Sequence, residues 1–161
     1  MAGRSRLRTK QAVSAGGIVY RGGHPEIEVL LLETDRGVWG LPKGTPADGE
    51  TLLNAATREV REETGLKVSA EEKVGTIEYW FVFAAEQQRY HKFVHFWLMR
   101  PVGGSLDQHD DEHVSVRWFP LNAALRRVTH ANTGGILRRA ATMLERRGVQ
   151  PPDPSPDGDN P

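Results

Sequence analysis

Arg58, Glu59, Glu62 and Glu63 fall within six residues of GTPADGETLLNAATREVREETGL (44–66), and Glu50 stands just ahead of them. Like charges crowded on one helix face repel by about a few tenths of a kcal/mol per pair. A sequence that keeps them there implies a compensating cation. Thr51 predicts an N-cap and Gly65 a left-handed residue just past the C-terminus. Leu53, Ala56 and Val60 recur at helical spacing, which predicts a helix burying those three. At about 100° per residue, Glu63, Glu59 and Glu62 border that stripe. Arg58 stands one turn before Glu62 and can pair with it, while Arg61 and Asn54 point to solvent. Carboxylates at the border of a core are partly desolvated, and three of them cannot all stay ionised cheaply beside one arginine. A hard divalent cation such as Mg²⁺ answers that charge, because it takes oxygen ligands and is normally shared between carboxylates and substrate phosphates. Glu50 and the carbonyl of Gly44 could supply further oxygens. For an isolated REVREE, a solvated face of salt-bridged glutamates is the competing reading.

The elements that must position this helix are mostly strands. AVSAGGIVYR and IEVLLLET are joined by the turn signal GGHP, and the second is apolar enough to be central. VWGLPKG leads into the helix as a short extended piece. VGTIEYWFVF, RYHKFVHFWLM and VSVRWF follow, rich in β-branched and aromatic residues, and then helical patterns in LNAALRRV and GGILRRAATMLERRG. The order predicts an α/β fold, a mixed sheet with helices on both faces. With 161 residues the chain suits one domain. We assign 1–11 to a flexible basic end, 12–147 to the domain, and 148–161, with its QPPDPSPDGDNP, to a disordered proline-rich tail.

Read as G-x5-E-x7-R-E-V-x-E-E-x-G-L, from Gly44 through Glu50, Arg58, Glu59, Val60, Glu62, Glu63 and Gly65 to Leu66, the segment resembles the Nudix box at every fixed position. SAGGIVYR before it, WGLPKG leading into it and the strand–strand–helix pattern after it resemble the Nudix fold, a mixed sheet sandwiched between helices (α/β/α). The resemblance implies a hydrolase that cleaves a nucleoside diphosphate linked to another group, using water and Mg²⁺ or Mn²⁺. It implies Glu59, Glu62 and Glu63 as metal ligands, joined by the Gly44 carbonyl, with Arg58 orienting the glutamates. Family members differ in which carboxylate takes the water's proton. Glu62 is the candidate within the box, and Glu112 of DDEHVSVRWF is the candidate loop ligand or base outside it.

The leaving group must be read from the flanks. Lys43 precedes the metal loop, where an ammonium can meet a phosphate as a point charge. The proline and lysine there, together with the strand RYHKFVHFWLMR, resemble the diadenosine polyphosphate hydrolases. Alternation puts Tyr90, Lys92, Val94 and Phe96 on one face of that strand and His91, Phe93, His95 and Trp97 on the other. Lys92 could reach a phosphate, His91 and His95 could touch one, Tyr79 and Trp80 could stack a base, and Tyr90 and Trp39 are further candidates at the substrate site. The alternative substrate is an oxidised nucleoside triphosphate, taken to the monophosphate by a MutT-like pool cleaner. A noncatalytic nucleotide sensor is the reading from a different class, but such domains usually lose box glutamates.

Twenty-one basic residues balance twenty-one acidic ones, so there is no broad electropositive track for a nucleic acid or a membrane surface. The expected partner is a small nucleotide. The sequence has no cysteine, which excludes thiolate metal sites and cysteine nucleophiles. With no long apolar run, a cytoplasmic protein is expected.

Overall fold

The computed structural model describes residues 7–23 and 25–148. Among the described residues, the chain forms seven strands and three helices. They are β1 (Thr9–Gly23), β2 (Glu26–Thr34), β3 (Trp39–Gly40), β4 (Lys43–Gly44), α1 (Leu52–Thr64), β5 (Leu66–Phe83), β6 (Gln88–Gly104), β7 (His113–Pro120), α2 (Leu121–Arg127) and α3 (Ala131–Gly148). The expected disordered tail and most of the basic end lie outside the described residues. β1 begins at Thr9 and pairs with β6 from Thr9↔Arg89 onward, three residues earlier than the domain boundary placed at residue 12.

The sheet runs β3-β2-β1-β6-β5, with β4 paired to β1 and β7 to β2. β1 lies parallel to β6, while its other neighbours are antiparallel, so the sheet is mixed as expected. Strand alternation sends Ile18, Tyr20, Val29, Leu31, Val94, Phe96 and Leu98 to one side, where they meet Leu137, Ala140 and Leu144 of α3. Ala15, Val19, Leu30, Leu32 and Met99 face the other side and meet Ala55, Ala56 and Val60 of α1. Two cores back to back hold one sheet between helices, the α/β/α arrangement.

Two expectations about these elements are corrected. Leu53 is 41% exposed, and Ala55 and Thr64 join Ala56 and Val60 in the buried stripe of α1. The stripe is centred by the small residues that let the helix approach β1, not by the largest apolar side chain. Leu53→Ser should therefore change stability by less than about 0.5 kcal/mol, whereas Val60→Ala, which opens a cavity, should cost about 2 kcal/mol. Urea unfolding of the two variants measures the difference, and equal losses would restore Leu53 to the core. Second, β5 starts at Leu66, well before VGTIEYWFVF, because its first half pairs with β6 through three register shifts that interrupt the alternation. No helix among the described residues is long and apolar enough to cross a membrane.

Candidate active site

The glutamate helix is closed at both ends by the residues read for that purpose. Thr51 Oγ1 accepts from the Asn54 amide at 3.1 Å, and Gly65 adopts φ 79° while its N–H donates to the Arg61 carbonyl. These caps fix where each glutamate emerges.

Arg58 is the hub of the site. Its Nε donates to Glu50 Oε2 at 2.9 Å and its Nη2 to Glu50 Oε1 at 3.0 Å and to the Thr45 carbonyl at 3.1 Å. Nη1 reaches Glu59 Oε1 at 2.9 Å and both oxygens of Glu62 at 3.1–3.2 Å. One guanidinium thus ties the loop before the helix to two helix carboxylates, a geometry that a planar fork of donors suits. The Arg58 bonds, then the Ala47 N–H, hold the Glu50 carboxyl down at about 2. Both Glu50 oxygens are engaged, by Arg58 and the Ala47 N–H, and tie the loop before the helix to the arginine.

Glu59 lies against Gly44 of β4. A Cβ at position 44 would stand 2.1 Å from the Glu59 carboxyl carbon, so only glycine leaves room for that carboxylate. Glu63 accepts from the Lys43 N–H at 3.0 Å. Burial, followed by the neighbouring Glu59 and Asp110 carboxylates, pushes its carboxyl up to about 8 against the opposing pull of the Lys43 amide and ammonium. A buried carboxyl beside other acids at a cavity is a candidate place for a cation. Glu112 is brought to the same place: oxygens of Glu63, Asp110 and Glu112 lie within 4.8 Å of one another. The donor set is hard oxygen throughout, the set that fits Mg²⁺ or Mn²⁺. Glu62 is the outermost of the helix acids, its side chain 57% exposed.

A cavity of about 660 Å³ opens beside this cluster. Its lining includes Lys43, Glu63 and His113, and also Leu41, Ile77, Tyr79, Phe96 and Asn132. Lys92 pairs with Tyr79 across β5 and β6 and so shares its face. Burial, then the nearby Lys43 ammonium, lowers the Lys92 ammonium from its ordinary value. Neither lysine makes a salt bridge among the described residues.

Three expected contacts do not reach the cavity. His91 occupies the opposite sheet face, stacked 3.9 Å from the Trp80 ring and bonded to Glu78 at 2.8 Å. Trp39 is buried in the core, edge-on to Phe119 at 5.1 Å, with its backbone tied to Thr129. Tyr90 stacks on Phe81 and donates to Glu86. Conversely, Asp110, His113, Phe96 and Asn132 were not picked out by the sequence reading. The HDDEH run at 109–113 was the available signal for the first two.

Residues 10–140 match the NUDIX domain family. A Mycobacterium tuberculosis protein bearing the name mutator protein MutT4 is 36% identical over 151 residues, 89% of this chain and 60% of that protein. The 8-oxo-(d)GTP phosphatase of Mycolicibacterium smegmatis is 29% identical over 136 residues, 78% of this chain and 40% of that protein. Among solved structures, the Ap4A hydrolase of C. elegans is similar with a TM-score of 0.63 at 26% identity, covering 84% of this chain and 99% of that one. The chain thus spans about 60% or less of the length of the two relatives.

Proposed function

We propose that this chain, which belongs to the NUDIX family, hydrolyses a phosphoric anhydride bond in a nucleoside diphosphate linked to another group. The divalent cation, Mg²⁺ or Mn²⁺, would be held by Glu59, Glu62 and Glu63 of α1 and by the Gly44 carbonyl. When bound, it neutralises pyrophosphate oxygens and makes the attacking water more acidic. Arg58 keeps the helix acids in register with the loop, a positioning role. The attacking water's proton goes to a carboxylate. Glu62 is engaged by Arg58 through both oxygens, whereas Glu112 stands beside Glu63 without an Arg58 contact, which supports Glu112 over Glu62 as the acceptor.

Two substrates fit this chemistry. Our reading is a dinucleoside polyphosphate, and the observation that carries it is the Lys43 and Lys92 pair, two neighbouring ammonium groups beside the acid cluster that make no salt bridge among the described residues. Like charges left together in a half-buried place call for an anion with several charges, as an extended polyphosphate chain has. Tyr79, on the same face, gives one base a stacking surface. The second reading, cleavage of an oxidised nucleoside triphosphate, is supported by the names of the two mycobacterial relatives.

Lys43→Met and Lys92→Met separate the two. On a dinucleoside tetraphosphate each should lose about tenfold in kcat/KM, the worth of one charge-assisted hydrogen bond. ADP-ribose should lose much less, since it brings fewer phosphates to the lysine. The loss should shrink at high salt, because contacts partly open to water are screened over about 8–10 Å at ordinary ionic strength. Rates on chains of increasing phosphate number at two salt concentrations measure this, with products resolved by chromatography. Equal losses on every substrate, or inorganic pyrophosphate from a triphosphate as the fastest product, would replace the dinucleoside reading with the second.

A further inference from the structure

On the sheet face that carries Tyr79 and Lys92, the β5–β6 pair runs on past the cavity. Phe81 follows Tyr79 along β5 and stands opposite Tyr90 of β6, with ring centroids 5.1 Å apart and planes 17° from parallel. Tyr90 donates to Glu86 Oε2 at 3.0 Å, which fixes its ring. Phe81 is left 38% exposed. A phenyl backed by a second ring yet open to solvent offers a platform for a flat aromatic group. Between the cavity and Glu86, strand alternation puts only lysines among the charged residues of this face: Lys92 of β6 and Lys10 of β1, the register partner of Tyr90. The opposite face differs. Trp80 is 51% exposed, but His91 already stacks on it at 3.9 Å and the Arg89 guanidinium lies 4.4 Å from its ring.

We propose that the Phe81–Tyr90 pair is a shelf for the second base of a dinucleoside polyphosphate whose first base lies in the cavity and whose phosphates pass Lys43 and Lys92. The proposal rests on the dinucleoside reading above. Its basis is order and spacing along one face. Phe81 lies two residues beyond Tyr79, the partner of Lys92, a step of about 7 Å along the strand. One ribose spans a comparable gap between its phosphate and its base. The lysines before the shelf match the charge of the chain that would lead a base to it. A base held there is held by its ring surface, so the shelf accepts any base.

The test compares two substrates with the same four phosphates, a dinucleoside tetraphosphate and a nucleoside tetraphosphate, on the full chain with Mg²⁺. In the wild type the second base should raise kcat/KM about tenfold, the size of one base–aromatic stack. Phe81→Leu should abolish that preference, with the change carried by KM, and Phe81→Trp, which keeps a ring, should retain it. Trp80→Leu, on the opposite face, should retain it too. Each variant is compared with itself on two substrates, so a loss of folded protein cancels. A wild-type preference that survives Phe81→Leu overturns the shelf. An equal loss on both substrates does the same, since it marks Phe81 as structural. A preference lost in Trp80→Leu places the second base on the other face and also overturns it. If the wild type shows no preference, the second base is not felt at all. The dinucleoside reading then fails and takes the shelf with it, a result seen in the wild type alone and so distinguishable from failure at Phe81.

Discussion

Glu63→Gln is expected to lower turnover by about three orders of magnitude, as loss of a catalytic metal ligand does, and at the same time to stabilise the metal-free protein at alkaline pH. The two effects have one cause. Glu63 is buried next to Glu59 and Asp110, and its carboxyl is pushed up to about 8 from an unfolded value of 4.5. Between those values the folded chain holds a proton that the unfolded chain releases. The contribution of Glu63 to stability is therefore fully present below the unfolded value and is lost as pH rises through about 8. Gln cannot ionise, so the variant escapes that loss, on the order of 5 kcal/mol once both states are fully ionised. Urea unfolding of the metal-free wild type and variant at pH 6 and pH 9 measures the stability arm, and steady-state rates with Mg²⁺ measure the other. Parallel pH dependence in the two proteins would show that Glu63 does not titrate as described. Activity within a few-fold of wild type would remove it from the metal site.

The second large effect is expected at Gly44, which has no charge to lose. A Cβ there would sit 2.1 Å from the carboxyl carbon of Glu59 and 2.2 and 2.4 Å from its oxygens, so Gly44→Ala must displace that carboxylate. Gly44 does not have a positive φ, and alanine can keep the backbone of β4. The fold should survive while the ligand moves by about an ångström, enough to cost about a hundredfold in turnover. Shortening the neighbour offers a check on cause. Adding Glu59→Asp to Gly44→Ala withdraws the carboxylate from the methyl, so the double variant should lose less than the two single losses combined. Strict additivity in that cycle would mean that the glycine acts through something other than Glu59.

Asn132 gives the cavity an amide, and Tyr79 and Phe96 give it aromatic surface. Of the three, the sequence reading picks out Tyr79 alone; Asn132 and Phe96 read as ordinary helix-start and strand residues. All three meet at one cavity only because α3 begins beside the β5–β6 pair, a contact between segments far apart in the chain.

What the sequence by itself determined was local. The caps Thr51 and Gly65, the order Arg58, Glu59, Glu62, Glu63 and the glycine at 44 are read along one helix and the turn before it, where side-chain directions follow from 3.6 residues per turn. The alternation of β6 likewise gave the two faces of Lys92 and His91. It could not say which face meets the cavity, because that depends on the helices covering each side of the sheet. Only the tertiary structure put Lys92 beside Lys43, turned His91 against Trp80, and drew Trp39 and Tyr90 away from the site. It also exposed Leu53, since α1 approaches β1 through Ala55 and Ala56. The acid cluster was decided there as well: Glu63 and Asp110 are distant in sequence, and β7 pairing against β2 is what carries the loop acids to the helix. Long-range strand pairing is set by which faces can be buried together, a property of the whole chain that no local run of residues contains.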